Sequence, residues 1–210
     1  MRWNQATGVY ALALLLAAGC AAGRVQEVPI ALRYIPVQRD MPRGAVQTVA
    51  VGVFRDAREG RPAGIVGERV RFTGDTDRFK PATGVAEAVA DVVRGYLARR
   101  GARTQATGWD GTPAQLWGQP GDIAVAGRVT HLWLSARDLA TRGEASSLFR
   151  VELIVGSPRS GAIITKTIQI EPTKRSNLFF ETRDIEEWLS QSISEAIERV
   201  MPDLERRLAG

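Results

Sequence analysis

One cysteine, Cys20, and one histidine, His131, are all that this chain of 210 residues contains of either type. A single cysteine excludes an intrachain disulfide, so the core must come from burial alone. A metal site built from several His and Cys ligands is excluded by the same shortage. A serine triad would have to use His131, and no G-x-S-x-G stretch is present. Long apolar runs are missing as well. Val9 to Ala18 is apolar or small apart from Tyr10, yet it is about ten residues long, and a membrane-spanning helix needs ~20. Aromatics are scarce at 7%, and charged residues make up 24%, an ordinary share for a globular domain.

What is abundant is arginine. Lys and Arg total 28 against 23 Asp and Glu, a net charge of +5, and the pI is near 10. A nucleic-acid surface would gather that charge on one face. Here the arginines are scattered and sit beside acids, as in Arg55-Asp56-Ala57-Arg58-Glu59. A solvated arginine-rich surface explains them, and we expect no nucleic-acid partner. Anionic partners such as lipid phosphates or cell-wall polymers stay open.

The N-terminus has the anatomy of an export signal. Arg2 supplies a positive start, the apolar run follows, and Ala18 and Gly19 are small enough for a peptidase site. The stretch Leu14-Leu15-Leu16-Ala17-Ala18-Gly19-Cys20 is similar to the lipobox of bacterial lipoproteins. Ala17 stands where that pattern has leucine, and Leu16 lies one position earlier. An ordinary secretory signal followed by an unmodified cysteine is the alternative. The lipobox resemblance implies that Cys20 is acylated and becomes the mature N-terminus. One acyl chain binds a membrane marginally, and two or more anchor stably. In Gram-negative lipoproteins an Asp after the cysteine signals inner-membrane retention. Ala21 therefore implies the outer membrane and its periplasmic face. The expected organisation is a cleaved signal over 1–19, a tether over 20–27 and one α/β domain over 28–208.

Periodicity then divides the domain. Alternation predicts strands over 28–35, 46–54 and 65–72, the last a short one. The polar stretch 74–80 reads as a loop. Residues 84–100 predict an amphipathic helix with Thr83 as N-cap and a stripe of Val85, Val89, Val92, Val93, Tyr96 and Leu97. A strand over 102–106 follows. Gly and Pro punctuation makes 108–121 an exposed loop. Three longer strands cover 122–135, 147–157 and 162–171, the last two joined by the turn Pro158-Arg159-Ser160-Gly161. A loop over 172–180 leads to a final helix from Thr182, striped by Trp188, Leu189, Ser192, Ile193, Ala196, Ile197 and Val200, which Pro202 ends or kinks. This order predicts an α+β sandwich: a largely antiparallel or mixed sheet with two helices packed on one face.

Beyond the lipobox, VAVGVFRDAREGRPAGIVGERV at 49–70, LARRGA at 97–102 and VMPD at 200–203 resemble the YajG family of proteobacterial lipoproteins. Asp56 and Arg58 fall on that family's Asp-Ala-Arg segment. The resemblance implies an envelope lipoprotein and no defined activity. Auxiliary lipoproteins of lipid-transport systems, of the PqiC and LptE kinds, share the general architecture.

The chemistry-bearing residues are few. His131 is expected on a strand face with Val125, Val129 and Trp133, as a half-buried imidazole. Asp75 and Asp77 are the best carboxylate pair, read as solvated loop residues. Asp56 and Arg58 make a local ion pair or a partner contact. Trp109 and Trp117, on a polar loop, either pack over the sheet edge or contact a partner. The expected function is a non-enzymatic, outer-membrane-anchored lipoprotein without a cofactor or metal, binding an envelope protein, lipid or cell-wall polymer or assisting envelope assembly. A lipid-transport auxiliary subunit would require an apolar groove between helices and sheet. An envelope hydrolase would require carboxylates converging in a cleft.

Overall fold

The structure is a computed structural model that describes residues 23–37 and 47–209. The signal segment 1–19, Cys20 and most of the connection over 36–44 lie outside the described residues. Eight strands form one mixed sheet: β1 (Val25–Ile30), β2 (Thr48–Asp56), β3 (Gly67–Val70), β4 (Thr76–Pro81), β5 (Arg103–Ala106), β6 (Ile123–Asp138), β7 (Gly143–Gly156) and β8 (Ile163–Asn177). Two helices, α1 (Val85–Arg99) and α2 (Thr182–Ala209), pack on one face of that sheet, as the order of elements predicts.

β6 is the spine. One of its edges carries β7 antiparallel, and β7 in turn carries β8 antiparallel. Its other edge is shared. β2 pairs parallel along Val49↔Ile123 to Asp56↔Val129, and β3 pairs parallel along Gly67↔Leu134 to Val70↔Arg137. β2 and β3 thus act as one strand interrupted by the excursion 57–66. Arg58 closes that excursion. Its guanidinium donates to Asp56 Oδ1 at 2.7 Å and Oδ2 at 2.8 Å, and Nη1 donates to the carbonyls of Ile65 (2.6 Å) and Leu132 (3.0 Å). Beside the first half of β6 the sheet continues through β2 to β5. Beside the second half it continues through β3 and β4 to β1.

The helices follow their apolar stripes. Val85, Val89, Val92, Val93, Tyr96 and Leu97 are all buried against the sheet. The N-cap is Gly84 at φ +84°, with no side-chain hydrogen bond, where the sequence suggested Thr83. In α2, Pro202 neither ends the helix nor removes its far turn from the core, since Met201 and Leu204 are both buried. Arg100 bridges to Glu205 at 3.2 Å and ties the two helices together. Burial raises the Glu205 carboxyl above its usual value, and Arg100 offsets part of that.

After β1 the chain leaves the sheet and lies extended along α2. The N–H groups of Ala31, Arg33, Ile35 and Val37 donate to the side chains of Glu186, Ser190, Ser194 and Glu198, at 2.9, 3.2, 2.9 and 3.0 Å. The match is metric. Two extended residues advance ~6.6 Å and four helical residues ~6.0 Å, so alternate amides meet every fourth helix position. This ladder satisfies backbone donors that have no strand partner. It also explains why the strand expected over 28–35 stops at Ile30.

Other boundaries moved for identifiable reasons. β1 starts at Val25, so residues 25–27 belong to the sheet and not to the tether. Residues 74–80 were expected as a loop, but Thr76–Pro81 is a strand whose inward positions are Asp77, Phe79 and Pro81. A buried carboxylate on the inner face hid its alternation. β8 runs to Asn177 through the stretch expected as loop. Its pairing shifts between Ser147 and Phe149, where Glu171 and Pro172 form a bulge, a place that tolerates proline in a sheet.

Candidate functional site

The helices leave the second face of the sheet free, and its two halves are built differently. Along the first half of β6 the floor is small: Ala50, Gly52, Ala124, Ala126 and Gly156. The segment 108–121, expected as an exposed loop, folds down onto that floor. Trp109 and Leu116 are fully buried there with Ala50, Ala124, Ala126 and Ile154. The fit leaves no room for larger floor residues. A Cβ on Gly52 would lie 2.2 Å from the Trp109 carbonyl oxygen, and one on Gly156 would lie 2.8 Å from Leu116 Cδ1. The lid is pinned at its edge by Thr107 N–H donating to Val51 O (2.9 Å) and Val53 N–H to Trp109 O (2.7 Å). Inside it, Trp109 Nε1 donates to Thr112 O at 2.9 Å. Hydrogen bonds from Thr112 lower the Asp110 carboxyl, which also bridges Arg55 at 2.9 Å.

Trp109 is therefore a core residue: of the two readings, it packs on the sheet and is not a surface contact. Trp117, on the same lid, is 65% exposed and lies over Gly161 of the β7–β8 turn. It lies at the surface, where a partner contact would need it.

Along the second half of β6 the same face is uncovered. Glu68 and Val70 of β3, Ser135 and Arg137 of β6, Glu144 and Ser146 of β7 and Lys174 and Ser176 of β8 line an open groove of about 660 Å³. Their sequence neighbours Ala136 and Ala145 point into the helix-side core, so these side chains face away from it. At the inner end of the groove, Trp133 donates through Nε1 to Ser135 Oγ at 3.0 Å. Arg61, from the 57–66 excursion, stacks on the Trp133 ring with its guanidinium carbon 4.3 Å from the centroid. The arrangement offers hydroxyls, both signs of charge and a cation-capped aromatic ring on a rigid sheet. That chemistry suits recognition of a polar, extended partner.

His131 sits on this open face too. The sequence placed it with Val125 and Val129, but the pairing shifts between Val129↔Val151 and His131↔Arg150. Thr130 is the extra residue of a β-bulge, and a one-residue slip sends the following side chains to the opposite face. Hence Val125 and Val129 are core, while His131 and Trp133 are half-buried on the open side. Its Nδ1 is buried without a hydrogen-bond partner.

The carboxylate pair separates. Asp75 accepts from Arg24 N–H (2.8 Å) and Thr73 Oγ1 (2.9 Å), and these bonds lower its pKa. Asp77 is fully buried instead of solvated. It takes two bonds from Arg69 Nε and Nη2 at 3.0 and 2.5 Å, one from Arg71 Nε at 2.9 Å and one from Gln26 at 2.6 Å. Burial pushes its carboxyl up, but the bonds from Arg71, Gln26 and Arg69 outweigh it and hold the group below the usual range. Arg69 also donates to the Phe180 carbonyl, joining the β3–β4 hairpin to the approach of α2. The Asp56–Arg58 pair is likewise structural. Arg58 hydrogen bonds hold the Asp56 carboxyl low, and the Arg58 side chain is 2% exposed. Arg58 is therefore unavailable as a partner contact, while Asp56 keeps one part-exposed edge. Among the described residues, no group of three or more His, Cys, Asp or Glu is placed to hold a metal ion.

The groove leaves no local signal in the sequence, because its residues are ordinary strand positions on four strands. The lid was legible in principle. Alternating Ala and Gly in β2 and β6 marks a recessed floor that needs a large side chain above it.

No family model and no curated protein matches the chain. Among solved structures, it is similar to protein XCC0632 from Xanthomonas campestris, of family model DUF330, with a TM-score of 0.52 at 9% identity, covering 87% of this chain and 99% of that one. An uncharacterised protein follows at a TM-score of 0.49 and 9% identity, covering 87% and 99%. Lipoprotein GNA1162 from Neisseria meningitidis gives 0.40 at 9% identity, covering 74% and 98%. The first similarity is one of fold, and at this identity it says nothing of activity. The other two fall too low to carry an argument.

Proposed function

We propose that this chain is a lipoprotein related to the YajG family. It is acylated on Cys20, held at the periplasmic face of the outer membrane, and works by binding an envelope component without catalysis. The observation that carries the binding role is the uncovered half of the sheet. A rigid face with serines, Glu68, Glu144, Arg137, Lys174 and the Arg61-capped Trp133 is left open beside a half that the chain covers with its own lid. The lipobox carries the anchoring.

The lipid-handling alternative asks for an apolar groove between helices and sheet. The clefts beside α2 and β8, of about 350 and 330 Å³, mix Ile35, Val37, Ile170 and Trp188 with Arg175, Glu187, Gln191 and Glu195. That mixed lining falls short of the apolar groove this alternative asks for. The hydrolase alternative loses its best acid pair to the structural bonds of Asp75 and Asp77.

Two measurements test the reading. Cys20→Ser should abolish palmitate labelling and remove the chain from the outer-membrane fraction. A variant that still labels and still fractionates there sinks the lipoprotein assignment. A photocrosslinking residue at Ser135 or Lys174 should trap a discrete envelope product that the same residue at Lys166, outside the groove, does not. Equal products from both positions would sink the groove as the binding face.

A further inference from the structure

One level of the sheet runs across six strands. Val25 pairs with Thr76, Thr76 with Val70, Val70 with Arg137, Arg137 with Glu144 and Glu144 with Ser176. The chain segments just beyond this row form one rim of the molecule. On that rim stand three of the most exposed apolar side chains described: Phe72 at 73%, Leu178 at 69% and Phe179 at 76% exposure. Phe72 tops the β3–β4 turn, and Leu178 and Phe179 follow the last residue of β8. Val25, 56% exposed, opens β1 at the same level.

The N-terminus emerges there as well. Gly23 packs backbone to backbone on Gly74, so closely that a Cβ on it would lie 1.9 Å from the Gly74 oxygen. Arg24 N–H donates to Asp75 Oδ1 (2.8 Å), and Thr76 N–H donates to Arg24 O (2.7 Å). Three Cα steps separate Gly23 from Cys20, a reach of at most ~11 Å. The headgroup layer is itself about 5–8 Å deep on each side of the hydrocarbon core.

We propose that the rim carrying Val25, Phe72, Leu178 and Phe179 rests on the lipid leaflet that holds the acylated Cys20, with these side chains at headgroup depth. The inference rests on the lipoprotein reading. The tether can carry the rim only a few ångströms beyond the headgroup layer, and it leaves next to that surface the end of the molecule where exposed apolar side chains collect. Burying them there adds to the acyl anchor. The open groove then lies beside the membrane, because Val70, Arg137, Glu144 and Ser176 belong to both the rim row and the groove.

Acylation occupies Cys20, so a cysteine introduced elsewhere is the only reactive thiol of the mature chain. Full-length acylated protein carrying Phe72→Cys, Phe179→Cys or Trp117→Cys is labelled with an environment-sensitive fluorophore. Each is reconstituted in phosphatidylethanolamine–phosphatidylglycerol vesicles containing shallow spin-labelled lipid. All three sites are exposed, so folding is preserved. Probes at 72 and 179 should be quenched about twofold or more, since an interfacial depth of ~5–10 Å brings them to the quencher. The probe at 117, on the lid at the opposite end of β6, should stay unquenched. If mass spectrometry shows acylated Cys20 and the probes at 72 and 179 match the one at 117, the rim proposal is overturned and the lipoprotein reading stands. Absence of acyl mass on Cys20 overturns both.

Discussion

The two halves of the free sheet face differ in one respect that decides the rest, the size of their floor. Under the lid the floor is Ala50, Gly52, Ala124, Ala126 and Gly156, and the chain fills the recess with Trp109 and Leu116. Beyond it the floor is Ser135, Arg137, Glu144, Ser146 and Lys174, and nothing among the described residues covers it. Small residues on a strand contribute little burial themselves. They create the space in which one tryptophan buries its full surface. Charged and hydroxyl residues do the reverse, since covering them would strip their water without replacement bonds. The chain therefore uses one half of the face for stability and leaves the other open to solvent.

The largest effect expected of a single change is on the covered half. Trp109→Ala should cost ~3–5 kcal/mol, the range for removing a buried aromatic, and a urea midpoint or melting temperature reads it directly. A loss under 1 kcal/mol would mean that the lid does not close.

Asp77 tests whether the sheet behind the open half has a stabilising element of its own, on its helix-side face. Asp77→Asn leaves Arg69 buried without its counter-charge and should cost about 3–5 kcal/mol. The sign of the pH effect follows from the lowered carboxyl. Stability due to Asp77 is present above its unfolded value near pH 4 and is lost as pH falls through the lower folded value. Acid titration of the urea midpoint should show that loss, diminished in the variant. Asp56, Asp75 and Asp110 are lowered as well, so the loss should shrink without vanishing.

Gly52→Ala sharpens the comparison from the floor. One methyl must push the Trp109 carbonyl away, and overpacking of this kind costs typically ~1–3 kcal/mol. Ser135→Ala, at an exposed position of the open half, should change stability by less than ~0.5 kcal/mol. Comparable losses at the two positions would erase the distinction between the halves.

The smallest effect is expected at Trp117. It is exposed on top of the lid, and Trp117→Ala should leave stability within ~0.5 kcal/mol. A drop near that of Trp109→Ala would make the whole lid part of the core.

Periodic segments were legible. The α1 stripe, the β7 alternation of Phe149, Val151, Leu153 and Val155, and the β7–β8 hairpin all stand where the pattern placed them. Segments whose pattern depends on a distant partner were not. β4 hides because Asp77 is an inward residue only in the presence of Arg69 and Arg71. His131 changes face because of one bulge residue, Thr130, which leaves no mark in the alternation itself. Of the candidate contacts, Trp117 stayed at the surface, while Trp109 and the Arg58 side chain went inside. The groove gathers residues from four strands, so no local stretch announces it.

Local physics thus determined the periodic helices and strands, because a 3.6 or 2.0 residue period is a property of neighbours along the chain. The short apolar run ending at Cys20 is likewise a local feature. Tertiary structure alone decided how the sheet is finished. The floor residues come from β2, β6 and β7, and the side-chain acceptors that zip 31–37 onto α2 stand more than 150 positions away. Their sizes and hydrogen-bonding atoms acquire meaning only when folding sets them side by side, because packing and satisfaction of buried polar groups are relations between surfaces and not properties of a segment.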